Sequence, residues 1–192
     1  MLLRSSLQPL RSVFSLAAAA LARALGVGGA VGAAPAHAAA TSATSPALSG
    51  RFRYVGPSSQ AATIEAGIEA AIASLPESLQ PVARRRLKIA TAIPGAVVLE
   101  VGEEQRRVSL DARTITTKPG RTVTWADGTG SLSRVTHEVG ASGLTERLVS
   151  VEGTRENVYR VGEDGRALTM AVTIRSPHLA APIRYSLSYV RE

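Results

Sequence analysis

The stretch GLTERLVSVEGTRENVYRVGEDGRALTMAVTIR, residues 143–175, decides the fold. Leu168, Met170, Val172 and Ile174 share one face of its last strand, and two hairpin signals divide it, Val151-Glu152-Gly153-Thr154 and Glu163-Asp164-Gly165-Arg166. Side chains alternating at period two, between turns that offer a glycine for positive φ, are the pattern of antiparallel strands. The rhythm runs from about Gly120 to Arg191, with Asp127-Gly128 as a further turn and Ile183, Tyr185, Leu187 and Tyr189 on one face of the final strand. Ser176 to Pro182 holds two prolines and reads as a loop.

Upstream of this meander, strands are predicted near 96–101, 105–110 and 113–117, and Pro119-Gly120 supplies a turn. Gly50-Arg51-Phe52-Arg53-Tyr54-Val55 alternates and predicts a half-buried first strand, ended by Gly56-Pro57. Between it and the second strand lie two helical stretches. Ala61, Ile64, Ile68, Ala71, Ile72 and Leu75 form one apolar stripe in the first, which Ser58 or Ser59 is expected to cap. Ser74-Leu75-Pro76-Glu77 has the form of a capping box, so the second helix starts there or at Ser78, with Pro81 in its first turn. Ile93-Pro94-Gly95 stops it.

About ten antiparallel strands in sequence order require a cover or closure, because an open sheet exposes two pairing edges. The expected fold is therefore mainly β, a meander barrel with a helix-turn-helix between strands 1 and 2. That element order resembles the intracellular lipid-binding proteins and, more loosely, the lipocalins, which together form the calycin group. The resemblance covers most of residues 50–192 and implies binding of a fatty acid or similar molecule. Two family signatures are altered: a lipocalin G-x-W is replaced by Gly50-Arg51-Phe52, and the late-strand R-x-Y of the lipid-binding proteins has no counterpart at Arg184-Tyr185 or Tyr189-Val190-Arg191. The last seventy or so residues also look like exported bacterial proteins of uncharacterised role, which implies no activity.

The first fifty residues have a different character. Met1 to Gly50 contains no acid; Arg4, Arg11 and Arg23 precede the apolar run Ala24–Ala34, and Pro35-Ala36-His37-Ala38 supplies an A-x-A site. These features predict a signal peptide over residues 1–38, a flexible tether over 39–49 and one folded domain over 50–192. An organellar transit peptide shares the Arg and Ser richness, but not the uninterrupted apolar run ending in a cleavage site. The Ala, Arg and Gly bias resembles a high-GC bacterial proteome, so export to the periplasm or beyond is expected. Loss of the leader would lower the formal charge from +7 to roughly +4, a mild excess that weakens any case for nucleic acid. The chain has no cysteine, so the domain must rely on its core rather than on disulfides.

Enzyme signals are nearly absent. Beyond the leader only His137 and His178 remain, too few for a multi-histidine metal site, and Gly140-Ala141-Ser142-Gly143 lacks the spacing of a nucleophile elbow. His137 alternates with Val135 and Val139 and reads as a packed sheet histidine. An unusual carboxylate site would need two of Glu100, Glu138, Glu146 and Glu156 to converge. The expectation is a noncatalytic, monomeric binding protein for a lipid or other hydrophobic small molecule, using no cofactor. It carries an option of peripheral contact with envelope lipid through Arg84, Arg85 and Lys88, which otherwise form a solvated helix face.

The candidate ligand residues are Arg86, Trp125, Tyr159, Met170, Tyr185 and Tyr189. On a helical wheel Arg86 falls at the centre of the arc of Val82, Ala83, Leu87, Ile89, Ala90 and Ile93. A charge there calls for a ligand's anionic head, a carboxylate such as Glu100, Glu146 or Glu156, or a tip that reaches water. The aromatic residues and Met170 line a cavity if the barrel is hollow and are core if it is filled, the latter leaving a structural or interaction domain.

Overall fold

The computed structural model describes residues 48–127, 130–141 and 143–192; the expected leader and most of the tether lie outside them. Ten antiparallel strands form one sheet: β1 (Gly50–Tyr54), β2 (Ala96–Val101), β3 (Arg106–Leu110), β4 (Arg113–Thr117), β5 (Val123–Ala126), β6 (Leu132–Gly140), β7 (Gly143–Ser150), β8 (Gly153–Val161), β9 (Ala167–Arg175) and β10 (Ile183–Arg191). Neighbours in sequence are neighbours in the sheet except at one place. β1 pairs with both β2 and β10, while β4 and β5 are the two ends of the order and are not hydrogen-bonded to each other. The result is a nearly closed barrel with a gap between β4 and β5, as the meander rhythm and the helix insertion predicted.

The expected helix pair is present between β1 and β2, with its ends shifted. α1 spans Ser58–Ile72 and buries Ile64, Ile68, Ala71 and Ile72 against the barrel. Burying each isoleucine contributes about 1.5–3 kcal/mol. No serine caps α1. Pro57, at φ −70° and ψ 161°, occupies the N-cap, so Ser58 is drawn into the first turn. Nor does a capping box form. A short 3₁₀ turn, Glu77–Leu79, leads into α2, Gln80–Ala90, with Pro81 tolerated in its first turn.

α2 is not rotated as the wheel suggested. Ala83 and Leu87 pack on the core while Leu79, Val82 and Ile89 stay exposed, Ile89 at 70%. Arg84 pairs with Glu69 of α1 at 2.6 Å, and Lys88 lies 3.4 Å from Glu65. These contacts turn the basic face toward α1 and the Arg86 face outward.

Inside the barrel the main apolar cluster joins Phe52, Leu99, Val108, Leu144, Leu168, Met170, Leu187 and the helix stripe. A smaller one, Ile115, Val135 and Leu148 with Val123 and Trp125, sits beside the gap. At one barrel end Arg191 stacks on Phe52 at 4.6 Å and donates to Ser49 O and Gly165 O at 2.7 and 2.6 Å.

Candidate functional site

Strand parity sends an unusual number of polar side chains inward. In β7 the buried positions are Leu144, Glu146 and Leu148; in β6, Val135 and His137; in β8, Asn157 and Tyr159. Register then assembles them, because Glu146 is the cross-strand partner of both His137 and Asn157. The Glu146 carboxylate is fully buried and accepts from Asn157 Nδ2 at 2.6 Å, Tyr159 Oη at 3.2 Å and Arg113 Nη2 at 2.8 Å. His137 Nε2 is 3.4 Å from Glu146 Oε1, and its Nδ1 is 3.1 Å from Thr117 Oγ1. Arg106 donates to His137 O at 2.7 Å.

β3 and β4 are thus bonded to β6 and β7 through side chains where the backbone ladder is interrupted. Burial alone would push the Glu146 carboxyl upward, but the His137 hydrogen bond, the Arg113 charge and the Asn157 amide outweigh it and hold the group at about 2. Burial and the adjacent Glu146 charge push the Tyr159 hydroxyl well above its usual range.

A second polar feature lies in the main core below α2. Tyr185 is 6% exposed, and among the described residues its buried hydroxyl has no hydrogen-bond partner. Burial raises its pKa, and the nearby Arg155 charge opposes the rise. Arg155 Nε donates to Asn157 Oδ1 at 2.9 Å, and its Nη1 bonds the carbonyl of Ala90, the last residue of α2. Arg155 therefore links α2 to the barrel wall beside an orphaned hydroxyl. Tyr189 is satisfied, donating to Pro94 O at 3.2 Å with its ring edge-on to Tyr54 at 5.6 Å.

The sequence candidates separate into three places. Tyr159, Met170, Tyr185 and Tyr189 share the interior: Tyr159 is opposite Met170, and Tyr185 and Tyr189 lie opposite Val172 and Leu168. Trp125 is half-buried in the small cluster, with the Arg113 guanidinium 5.6 Å from its ring. Arg86 belongs to neither. Its side chain is 52% exposed and lies 3.9 Å from Glu152 in the β7–β8 turn, so the expectation of a buried charge at the centre of an apolar face is corrected by the rotation of α2. Arg113, Arg155 and Asn157 were missed as site residues, and Glu146, named only among carboxylates that could pair with Arg86 or converge in an acid site, was not expected to gather His137, Asn157 and Arg113. Glu146, Asn157 and Arg155 share the parity of apolar inward positions, a signal present in the stretch quoted at the outset.

Two pockets flank the barrel. One of about 890 Å³ opens at the gap and is lined by the β2–β3 turn, the end of β4 and the β4–β5 connection. The other, of about 670 Å³, lies along α2 at Pro81, Arg84, Arg85, Lys88, Ile89 and Ala92.

Among solved structures, a secretary abundant heat soluble (SAHS) protein from Ramazzottius varieornatus superposes with a TM-score of 0.50 at 10% identity, covering 78% of this chain and 98% of that one. The fold is the calycin barrel. The fatty acid transporter REP1-NXSQ is similar at TM-score 0.49 and 11% identity, over 76% of this chain and 96% of its own. A Schistosoma mansoni fatty-acid-binding protein in complex with arachidonic acid is similar at 0.46 and 14%, over 78% and 98%. At these identities the calycin likeness concerns the fold alone. No protein-family model matches the chain, and no curated protein matches it.

Proposed function

We propose that this calycin barrel is a noncatalytic, exported binding protein for a lipid or other hydrophobic small molecule with one polar end. The observation that carries the reading is the Tyr185 hydroxyl, unpartnered among the described residues, beside Arg155 in the main apolar cluster. A buried hydroxyl without a partner costs about 1–3 kcal/mol, and a ligand oxygen placed there would relieve it. The apolar part of the ligand would gain about 25 cal/mol per Å² of surface removed from water.

α2 suits the part of a lid. None of its side chains is fully buried, and its C-terminal end is held to the wall by the Arg155–Ala90 contact. Export rests on the leader read in residues 1–38. Protein purified under native conditions is expected to carry a lipid detectable by mass spectrometry. It is also expected to bind members of a panel of fatty acids, polyprenols and sterols, with Trp125 fluorescence as a second readout. An empty protein indifferent to the panel overturns the proposal.

A second reading, a filled barrel that docks a partner, is favoured by one observation. Arg113–Glu146 and Thr117–His137 bond directly across the interior, leaving no room for a ligand between them.

A further inference from the structure

The gap pocket has a charge arrangement that neither reading uses. The tight β2–β3 turn, closed by Gly102 N to Gln105 O at 2.9 Å, presents Glu103 and Glu104 on one side. The β4–β5 connection, held by Arg121 N to Lys118 O at 3.0 Å, presents Lys118 and Arg121 on the other. Gln105, Thr116, Thr117, Pro119 and Val123 complete the lining.

Among the described residues, none of these four charged side chains makes an ion pair or a side-chain hydrogen bond. The contrast with the adjoining sheet surface is informative. There Arg107 and Glu100 meet at 3.2 Å, and Arg107 also reaches Thr116 Oγ1 at 3.3 Å. Around the pocket, two anions and two cations are instead held apart on two constrained turns. Its volume, about 890 Å³, lies within the ordinary range of ligand sites.

We propose that this pocket binds a small zwitterion, the phosphate ester of an amino alcohol, either free or as the head of a lipid. The ammonium group faces Glu103 and Glu104, and the phosphate takes charge-assisted hydrogen bonds from Lys118 and Arg121. Gln105 offers amide contacts to the linking ester oxygens. A net charge of zero around the site accepts neither a bare anion nor a bare cation well, because each leaves one pair of like charges uncompensated. The site is separate from the Tyr185 anchor, so it does not depend on what occupies the barrel.

The test is titration of the full chain with phosphoethanolamine, ethanolamine and inorganic phosphate, followed by amide chemical shifts at Thr116, Thr117 and Val123. Phosphoethanolamine is expected to bind about tenfold or more tighter than either half. The pairs Glu103→Gln/Glu104→Gln and Lys118→Gln/Arg121→Gln should each abolish most of that advantage. All four residues are exposed, so the variants keep the fold and unchanged shifts elsewhere verify it. Phosphoethanolamine that binds no tighter than ethanolamine or inorganic phosphate, or variants that bind like the parent, overturns the proposal. Vesicles of phosphatidylethanolamine distinguish the source. Flotation with them that both variants lose assigns a lipid head, and solution binding without flotation assigns the free ester.

Discussion

Arg113 Nη2 lies 2.8 Å from Glu146 Oε2, although six strands separate β4 from β7 in the sheet order. The contact therefore runs through the interior and ties together the two sides of the gap, where β4 and β5 share no backbone ladder. A carboxylate with no exposed surface is tolerated there because Arg113, His137, Asn157 and Tyr159 all converge on it.

Glu146→Gln keeps the shape and removes the charge, leaving Arg113 without its anion. It should cost about 3 kcal/mol, since breaking a buried pair from one side is strongly destabilising. Arg113→Met should cost a similar amount, and the double variant less than the sum, with a coupling above about 1 kcal/mol. Urea denaturation of the four proteins measures this. Additive losses would show that the pair is not coupled.

Acid should act through the same carboxylate. Its folded pKa is depressed from an ordinary 4.5 to about 2, so the stability it confers is complete above pH 4.5 and is lost as pH falls through about 2. The window is therefore pH 4.5 to 2, and the stability at stake is roughly 3 kcal/mol. Subtracting the Glu146→Gln stability profile from that of the parent should reveal a difference that shrinks across that window. A flat difference rejects the assignment.

Much of this network was legible as parity and almost none of it as partnership. The alternation Leu144, Glu146, Leu148 fixes which way Glu146 points once the strand is recognised, and Asn157 and Tyr159 follow the same rule in β8. Arg113 could not be matched to it, because a contact across the barrel depends on the closure of all the intervening strands. The rotation of α2 was illegible for a related reason. Its own pattern favours burying the Arg86 face, whereas the packing of Ala83 and Leu87 on the core, with Arg84 and Lys88 beside Glu69 and Glu65 of α1, depends on the tertiary fit of the two helices.

Arg86→Gln should consequently change stability by less than about 0.5 kcal/mol, the usual scale for an exposed position. Lipid affinity should also be unaltered, since Arg86 stands outside the interior that holds Tyr185. A large loss of either would restore the buried-charge reading of the sequence.

Tyr185→Phe separates folding from binding. Removing a buried hydroxyl that has no partner should leave the empty protein as stable or raise its stability by up to about 1 kcal/mol. The same change should weaken a ligand with a polar end several-fold while leaving a wholly apolar ligand unaffected. Thermal unfolding of delipidated protein and competition titrations with a fatty acid and its hydrocarbon analogue measure the two effects. If the empty protein loses stability, the hydroxyl is already satisfied and the proposed anchor falls.

Two glycines in the hairpins that first indicated the fold should respond unequally to alanine. Gly165, at φ +69°, turns the chain in open space, so Gly165→Ala incurs only the left-handed backbone penalty, about 1 kcal/mol. Gly153, at φ +151°, would place its new Cβ 2.1 Å from Arg175 O, a backbone atom of the paired strand β9. Neither strand can yield there without disturbing the β8–β9 ladder, whose inward side chains include Asn157, Tyr159, Met170 and Val172. Gly153→Ala should therefore cost at least about 2 kcal/mol more than Gly165→Ala in urea denaturation. It should also perturb the amide signals of Asn157 and Tyr159, which the Gly165 variant leaves in place. Equal costs would mean that the β7–β8 turn can relax away from β9, and that the position of Glu146 between His137 and Asn157 is fixed by its hydrogen bonds rather than by the hairpin.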